Sequence, residues 1–309
     1  MVLAFRRGQW QAVTMMRGLA LWLTLVMCPG FAGAQSYSAE VFAPAGAGPQ
    51  SPVVIVLHGG GGSGPQVRRS SGFDELAVGA GVIALYPSGP WRHWNDGRRP
   101  DNARDDVAGI LGALDDLLNS GLGDRSRVYV IGHSNGGGMA MRLACEAPER
   151  LAGIAVVATK TLFEAPCAHG EGPEIPALFI HATADPLAPH HGRLLTDPDP
   201  EIADLARRLG EARSAEDTLA FWSVRNGCAA DPDTQTMDPD PTDDVSLQIH
   251  DFRDCDAPLR WIVIDGGGHA WPGRAPARLM RRLAGDEPVV RDIDAGAAAL
   301  AFWFPLTVQ

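Results

Sequence analysis

Runs of consecutive apolar residues alternate along this chain with segments in which apolar positions recur every three or four residues. The consecutive runs are typical of buried strands, and the spaced positions are typical of helices that pack one face on a sheet. The predicted strands cover residues 53–57, 82–86, 128–131, 154–157, 177–180 and 261–264, and the predicted helices cover residues 73–79, 105–119, 136–147 and 216–225. This alternation predicts an α/β fold with a mostly parallel, doubly wound sheet flanked by helices. Ligands of such sheets bind at the carboxyl ends of the strands.

Two polar segments interrupt the alternation. Residues 186–210 are rich in Pro, Asp and Arg and follow a predicted strand, so we expect a small cap or loop insertion over the ligand site. Residues 229–244 carry six aspartates, but they lack the glycine and the terminal glutamate of a helix-loop-helix calcium site. We therefore expect a solvated acidic loop there and no metal site. Ser214 and Asp217 form a capping pair that predicts the start of the helix after residue 214.

The first 34 residues have the organisation of a cleavable signal peptide. Three arginines occur there without an acidic residue, an apolar stretch follows at 19–27, and small residues at 32–34 precede the expected cleavage site. The apolar stretch is shorter than the about 20 residues that cross a bilayer. We predict a signal peptide at 1–34, one catalytic domain at 35–309, no membrane anchor, and a secreted or periplasmic location. Cys28 leaves lipid attachment as an alternative.

The formal net charge is −11, which argues against nucleic acid and anionic membrane surfaces as partners, because both require clustered Lys and Arg. Four cysteines follow the predicted signal peptide, namely Cys145, Cys167, Cys228 and Cys255. An even number in an oxidising compartment favours two disulfides, although three pairings are possible. Closeness in sequence favours Cys145 with Cys167 and Cys228 with Cys255. Buried free thiols are the alternative.

A serine lies at the junction of a predicted strand and a predicted helix, in the sequence G-H-S-N-G at residues 132–136. This sequence matches the G-x-S-x-G motif, and it lies between a predicted strand and a predicted helix, where this motif indicates a nucleophilic serine. We expect strained backbone at Ser134 and glycines beside it, because side chains at 132 or 136 would collide with neighbouring backbone. Such a turn exposes the hydroxyl, and the helix N-terminus behind it adds partial positive charge. Ser134 is therefore the candidate nucleophile.

A serine hydroxyl needs a base to attack, and a histidine base needs a carboxylate that fixes its tautomer. Asp185 follows the predicted strand 177–180, and His269 lies in a glycine-rich loop after the predicted strand 261–264. Each alone could be an ordinary loop residue, but three such residues in this order at three strand ends favour a catalytic triad. The alternatives for the base are His133, His181, His190 and His191.

A tetrahedral oxyanion requires two backbone N–H donors, one from the residue after the nucleophile and one from the loop after an early strand. Asn135 is the first candidate. The glycine-rich segment after the predicted strand 53–57 offers Gly60 or Gly61 as the second. A phosphate-binding loop is the alternative for this segment, but no lysine follows its glycines.

Two tryptophans are candidate walls of the substrate site. Trp94 and Trp271 each follow a predicted strand and lie near a candidate catalytic loop, and flat rings offer large contact areas to aromatic or sugar-bearing substrates. Ordinary packing is the alternative for both. Asp106 could orient a loop, and we do not assign it a catalytic role.

Six motifs occur in order along nearly all of the predicted mature chain: LHGGGGS, WNDG…DDVAGI, GHSNGGGMAMRLACE, HATADPLAP, FWSVRNGC and GGGHAWPG. Together they resemble the polyhydroxybutyrate depolymerase family of secreted esterases, which also includes feruloyl and acetylxylan esterases. The resemblance implies the α/β-hydrolase fold, no metal and no organic cofactor. It further implies Ser134 as nucleophile, Asp185 as acid, His269 as base and a structural disulfide at Cys228.

The candidate triad and the resemblance predict a serine esterase that hydrolyses carboxylic esters through an acyl-enzyme. The expected substrates are small-molecule, oligomeric or polysaccharide-linked esters: short-chain esters, hydroxyalkanoate oligomers, or feruloyl and acetyl esters of polysaccharides. Polymer-degrading members of the resembled family often carry a linker and a polymer-binding domain. We expect neither here, and we therefore expect soluble esters rather than crystalline polymer. The alternatives are a serine peptidase of the prolyl-oligopeptidase type and a non-catalytic binding protein with the same fold.

Overall fold

The computed structural model describes residues 36–98, 102–161, 172–276, 281, 285 and 289–305. Its strands are β1 (Ala39–Phe42), β2 (Val53–Leu57), β3 (Ile83–Pro87), β4 (Val128–His133), β5 (Gly153–Val157), β6 (Ala177–Ala182), β7 (Ala230–Met237), β8 (Ser246–Arg253) and β9 (Leu259–Asp265). Its α-helices are α1 (Gly64–Ser71), α2 (Phe73–Ala80), α3 (Asp106–Asn119), α4 (Asn135–Glu146), α5 (Pro200–Leu209), α6 (Ala215–Arg225) and α7 (Ala295–Trp303). Both the predicted signal peptide at 1–34 and Cys167 lie outside the described residues.

The described strands form one sheet in the order β1-β3-β2-β4-β5-β6-β9-β8-β7. Its central six strands, β3, β2, β4, β5, β6 and β9, are parallel to one another. Antiparallel strands complete the two edges, with β1 on one side and β8 and β7 on the other. All six predicted strands belong to the parallel block. The predicted fold class, an α/β fold with a mostly parallel sheet, is therefore confirmed.

Helices cover both faces of this sheet, which explains why its central strands are continuously apolar. Successive side chains of a strand point to opposite faces, and β2 accordingly divides its residues between two cores. Ile55 belongs to one core, together with Ile110 of α3 and Met139 of α4. Val54 belongs to the other, which also contains Phe73 of α2. Within the described part of the chain, every helix is too short or too polar to cross a membrane.

The four predicted helices correspond to α2, α3, α4 and α6. The backbone N–H of Asp217 donates to Ser214 Oγ at 2.9 Å, so Ser214 caps α6 as expected. The expectation of a loop throughout 229–244 is wrong, because residues 230–237 form the edge strand β7, which pairs with β8. Its ladder uses backbone groups, with a register shift between Ala230 and Asp233, and most of its polar side chains face solvent.

One predicted disulfide links Cys228 and Cys255. It joins the chain just beyond α6 to the loop between β8 and β9, and so fastens the antiparallel edge of the sheet to a helix. Cys145 is also disulfide-bonded. Its predicted partner Cys167 lies outside the described residues, so that pairing stays a prediction.

Replacing both Cys228 and Cys255 with Ser should destabilise the protein. The two cysteines are 27 residues apart, and loss of the constraint on the unfolded chain predicts a decrease of about 3.5 kcal/mol in the free energy of unfolding. Urea unfolding of the oxidised wild type and the double variant measures this difference. Thiol titration in denaturant without reductant controls for reshuffling, and equal unfolding midpoints would contradict the prediction.

Candidate active site

Ser134 occupies a tight turn between β4, which ends at His133, and α4, which begins at Asn135. Its backbone has φ 54° and ψ −121°, in a region that side-chain-bearing residues seldom adopt. The turn is held on both sides. Its N–H donates to the Val157 carbonyl of β5 at 2.8 Å, and its carbonyl accepts from the Gly138 N–H at 3.1 Å.

The glycines on either side of this turn allow backbone segments to approach each other. A Cβ atom at Gly132 would lie 2.1 Å from the Gly136 carbonyl oxygen, and a Cβ atom at Gly136 would lie 2.6 Å from the carbonyl oxygens of Leu57 and His58. The start of α4 therefore packs directly on the end of β2. This contact fixes the direction in which the Ser134 side chain leaves the turn.

Ser134, His269 and Asp185 form a continuous chain of contacts. The His269 Nε2 atom lies 2.9 Å from Ser134 Oγ, and the His269 Nδ1 atom lies 2.7 Å from Asp185 Oδ2. Asp185 follows β6 and His269 follows β9, and these strands are neighbours in the sheet. With the proton on Nδ1, His269 donates to Asp185 and leaves Nε2 free to accept the proton of Ser134.

Asp185 is nearly inaccessible to solvent, with 3% of its surface exposed. Its Oδ1 atom accepts from the backbone N–H groups of Leu187 and Ala188, each at 2.8 Å. Burial alone would raise the pKa of Asp185, but the charge and hydrogen bond of His269 and the charge of Lys160 hold it below its usual value. The carboxylate is thus ionised and can stabilise a protonated imidazole.

Lys160 is the only lysine in the sequence, and its place beside the triad was not predicted from the sequence. It follows β5 with 1% of its surface exposed, and its ammonium group donates to the Ala188 carbonyl. Burial lowers the pKa of Lys160 to about 8. The side chain fastens the turn that carries Asp185. A lone lysine directly after an apolar strand is the sequence signal that could have revealed it.

The other histidines considered as bases make different contacts. His133 Nε2 donates to the backbone carbonyl of His269 at 2.7 Å, and burial lowers the pKa of His133 to about 4. His181 Nε2 donates to the Thr159 carbonyl at 2.8 Å, and burial holds the pKa of His181 well below its usual value. Both rings are therefore neutral groups that support backbone near the triad. His190 lies 3.0 Å from Glu216, and His191 lines the cavity described below.

Residues of two segments lie with Ser134 in the lining of one cavity, namely Asn135 and the glycines after β2. Asn135 is the first residue of α4, where an N–H has no acceptor within the helix. The N–H of Gly61 donates to the Arg92 carbonyl at 2.7 Å and is therefore engaged. Gly60 also lines the cavity, so it is the better candidate of the two glycines for the second donor.

The Asn135 side chain holds this region together. Its Oδ1 atom accepts from the Trp94 N–H at 2.7 Å, and its Nδ2 group donates to Asp96 Oδ2 at 2.9 Å. Asp96 has 1% of its surface exposed and also accepts from Arg98 Nε at 2.8 Å. Asp96 was not among the residues predicted from the sequence, although it lies within the WNDG motif. Asp106 orients the same region by accepting the backbone N–H of Asn95 at 2.6 Å.

The expectation that Trp94 and Trp271 form walls of the substrate site is wrong. Trp94 has 1% of its surface exposed, and its indole N–H donates to the His58 carbonyl at 2.8 Å. Trp271 has 7% of its surface exposed and packs in the core near His133, with their ring centres 6.1 Å apart. Large aromatic rings contribute most when buried. Both rings are buried and neither is among the residues that line the cavity, so they pack within the protein and present no face to a substrate.

A cavity of about 750 Å³ opens above Ser134. Gly59, Gly60, Ser134 and His269 line one part of it, and the segment 186–193 together with α5 lines another. The expectation that residues 186–210 lie over the site thus agrees with the structure, although ten residues of the segment form the helix α5. Among the described residues, no three His, Cys, Asp or Glu side chains are grouped to bind a metal ion.

Comparisons with known proteins identify the architecture. The family model of the α/β-hydrolase fold matches residues 52–169. The chain is 34% identical over 229 residues to the proposed esterase NocK of Nocardia uniformis subsp. tsuyamanensis, covering 72% of this chain and 66% of that protein. It is 34% identical over 103 residues to feruloyl esterase B of Thermothelomyces thermophilus, covering 32% and 35% of the two chains. The chain therefore spans just under two thirds of the first relative and about a third of the second.

A solved structure supports the same architecture. The acetyl xylan esterase from Aspergillus awamori superposes with a TM-score of 0.52 at 18% identity, covering 80% of this chain and 92% of that one. At this identity the similarity concerns the fold.

Replacing a glycine with alanine should have opposite effects at Gly136 and at Gly79. An added Cβ at Gly136 would meet two carbonyl oxygens at 2.6 Å, whereas one at Gly79 in α2 would meet no atom within 4 Å. Gly136→Ala should lower the free energy of unfolding by about 1–3 kcal/mol, and Gly79→Ala should raise it by about 0.5–1 kcal/mol. Urea unfolding compares the two, and equal changes would refute the proposed close approach.

The stability of the protein should carry a pH signature of Lys160. Its pKa is lowered from 10.5 to about 8 in the folded state, so between these values the unfolded chain holds a proton that the folded protein has lost. The free energy of unfolding should therefore rise with pH in this window, by about 3 kcal/mol in full, relative to Lys160→Met. Urea unfolding of both proteins from pH 7.5 to 10.5 measures the difference. Other groups titrate in both proteins and cancel in the comparison. A difference in the free energy of unfolding between wild type and Lys160→Met that does not change with pH would contradict the prediction.

Proposed function

We propose that this chain, which has the α/β-hydrolase fold, is a secreted serine esterase that hydrolyses carboxylic esters without a cofactor. The contact chain from Ser134 through His269 to Asp185 carries this proposal. It ends at a cavity that is lined by the N–H-bearing residues Asn135 and Gly60. A nucleophile, a base, an orienting carboxylate and oxyanion donors are the groups that acyl transfer requires.

In the first half of the proposed reaction, Ser134 Oγ attacks the ester carbonyl carbon and His269 Nε2 takes the hydroxyl proton. The oxyanion accepts hydrogen bonds from the N–H groups of Asn135 and Gly60. Asp185 stays ionised and stabilises the imidazolium. His269 then gives the proton to the leaving alcohol as the tetrahedral intermediate breaks down to the acyl-enzyme.

In the second half, water replaces the alcohol and His269 accepts one of its protons while the water oxygen attacks the acyl carbon. The new tetrahedral intermediate uses the same two N–H donors. Its breakdown returns the proton from His269 to Ser134 Oγ and releases the carboxylic acid. Each cycle consumes one ester and one water, and leaves the enzyme in its starting protonation state.

The proposed substrates are short-chain esters, hydroxyalkanoate oligomers, and feruloyl or acetyl esters linked to polysaccharides, as in the polyhydroxybutyrate depolymerase family that the chain resembles. Similarity to NocK and to feruloyl esterase B supports ester hydrolysis. The cavity of about 750 Å³ is within the range of small-molecule sites. The Cys228–Cys255 disulfide supports an oxidising compartment and hence the proposed secretion through residues 1–34.

Kinetics on paired esters and amides should separate esterase from peptidase activity. We expect kcat/KM on acetyl, butyryl, feruloyl or 3-hydroxybutyryl esters to exceed that on matched amides by at least about 100-fold, or about 2.7 kcal/mol in transition-state stabilisation. Ester cleavage needs less protonation of the leaving group than amide cleavage. Amide turnover equal to ester turnover would favour a peptidase instead.

The matched variants are Ser134→Ala and Ser70→Ala. Loss of the nucleophile should lower ester turnover by up to about 10⁶-fold, whereas Ser70 is exposed on α1 and its replacement should have little effect. Circular dichroism should show that both variants are folded. Near-normal ester turnover by folded Ser134→Ala would overturn the proposed mechanism.

A further inference from the structure

Arginines line part of the same cavity as Ser134, in a chain whose formal net charge is −11. Arg98 follows β3, Arg193 follows β6, and Arg208 belongs to α5. The carboxylates in the lining are Asp185 and Glu201. Asp185 is engaged by His269, and Glu201 is on an exposed position in the first turn of α5. The lining thus carries three arginines against two carboxylates, although Arg98 is paired with Asp96 and Arg208 with Asp204, which lie outside the lining.

Arg193 is the most buried of these cations, with 3% of its surface exposed. Its guanidinium donates to the backbone carbonyls of Gly210 at 2.6 Å, Leu209 at 3.3 Å and Leu187 at 3.4 Å. A guanidinium has five N–H groups, so these three bonds leave N–H groups available. Carbonyl dipoles also leave the net charge of Arg193 in place. Burial and the nearby charge of Arg98 lower the pKa of Arg193 to about 10.

Among the described residues, no carboxylate forms an ion pair with Arg193. Asp96 and Asp185 are the carboxylates whose charges act on Arg193. Asp96 is paired with Arg98, and Asp185 is paired with His269. Removing a cation from water is costly unless an anion compensates it. A ligand carboxylate in the cavity would supply that compensation.

We infer that the Arg98, Arg193 and Arg208 side of the cavity binds a free carboxylate on the substrate, so that the preferred esters are acidic. This inference rests on the proposed function and specifies its substrate class. Guanidinium groups bind carboxylates through paired, charge-assisted hydrogen bonds. Suitable substrates are half-esters of dicarboxylic acids, with the carboxylate on the acyl side, and acylated hydroxy acids, with the carboxylate on the alcohol side.

Arg193 also has a structural role, because it joins the carbonyl of Leu187 to those at the end of α5. Its replacement could therefore disturb the fold. Arg208 offers a cleaner test, since its side chain is 66% exposed and pairs with Asp204 at 2.9 Å. Its neighbour Arg207 is 57% exposed and pairs with the same Asp204 at 3.4 Å, but it is not among the cavity-lining residues. Arg207→Gln is thus the matched control for Arg208→Gln.

The test compares each acidic ester with its neutral primary amide of nearly the same shape. Monomethyl adipate and its amide place the group on the acyl side, and 4-acetoxybutanoate and 4-acetoxybutanamide place it on the alcohol side. We expect kcat/KM to favour the acid about tenfold in at least one pair, and to lose this preference as NaCl is added. Arg208→Gln should reduce the preference about threefold, whereas Arg207→Gln should leave it unchanged.

The neutral amide-bearing esters separate the two proposals. If they are hydrolysed and neither pair favours the acid, the carboxylate site is refuted while the esterase proposal stands. If no ester is hydrolysed, calorimetric titration of Ser134→Ala with 4-acetoxybutanoate and with 4-acetoxybutanamide measures whether the protein binds the acid more tightly than the amide. An affinity about tenfold higher for the acid supports the carboxylate site, and equal affinities overturn it.

Discussion

The positive φ of Ser134 is the constraint on which the rest of the site depends. A strained residue persists only where its surroundings leave no alternative, and here β2, β5 and α4 together provide that restraint. The N–H of Ser134 is bound to β5, while Gly136 is pressed against the end of β2. Because α4 begins immediately afterwards, the same turn exposes the hydroxyl and frees the N–H of Asn135. The position of the nucleophile and the availability of an N–H donor beside it thus both follow from this one turn.

The buried carboxylate of Asp185 is stabilised in a different way. Asp185 is buried, so its charge must be compensated by groups that are buried with it. Lys160 supplies charge, and His269 Nδ1 together with the N–H groups of Leu187 and Ala188 supplies hydrogen bonds. Lys160 also binds the carbonyl of the same turn. The chain just after Asp185 is consequently held at several points before it turns outward to line the cavity.

The central fold and the candidate triad could be predicted from the sequence because their signals are local. Buried parallel strands are apolar throughout, and Ser134, Asp185 and His269 each follow such a strand. The edge strands β1, β7 and β8 were missed because their ladders use backbone atoms and their side chains are mixed. The burial of Trp94 and the position of Lys160 beside Asp185 could not be predicted, because both depend on contacts with residues far away in the sequence. No spacing in the sequence carries that information.

The segment 186–210 connects the turn that carries Asp185 to the wall of the cavity. Its first residues donate to Asp185, Arg193 then binds carbonyls at both ends of the segment, and α5 completes the cavity wall. A buried guanidinium that organises its own backbone is held in a fixed position, so it needs little further ordering when a ligand binds. The residues that position the carboxylate of the triad are therefore continuous with those that face the substrate. Because Arg193 binds the carbonyl of Leu187, whose N–H donates to Asp185, its replacement would disturb the wall and the triad together, and an exposed residue of α5 is a better probe of recognition.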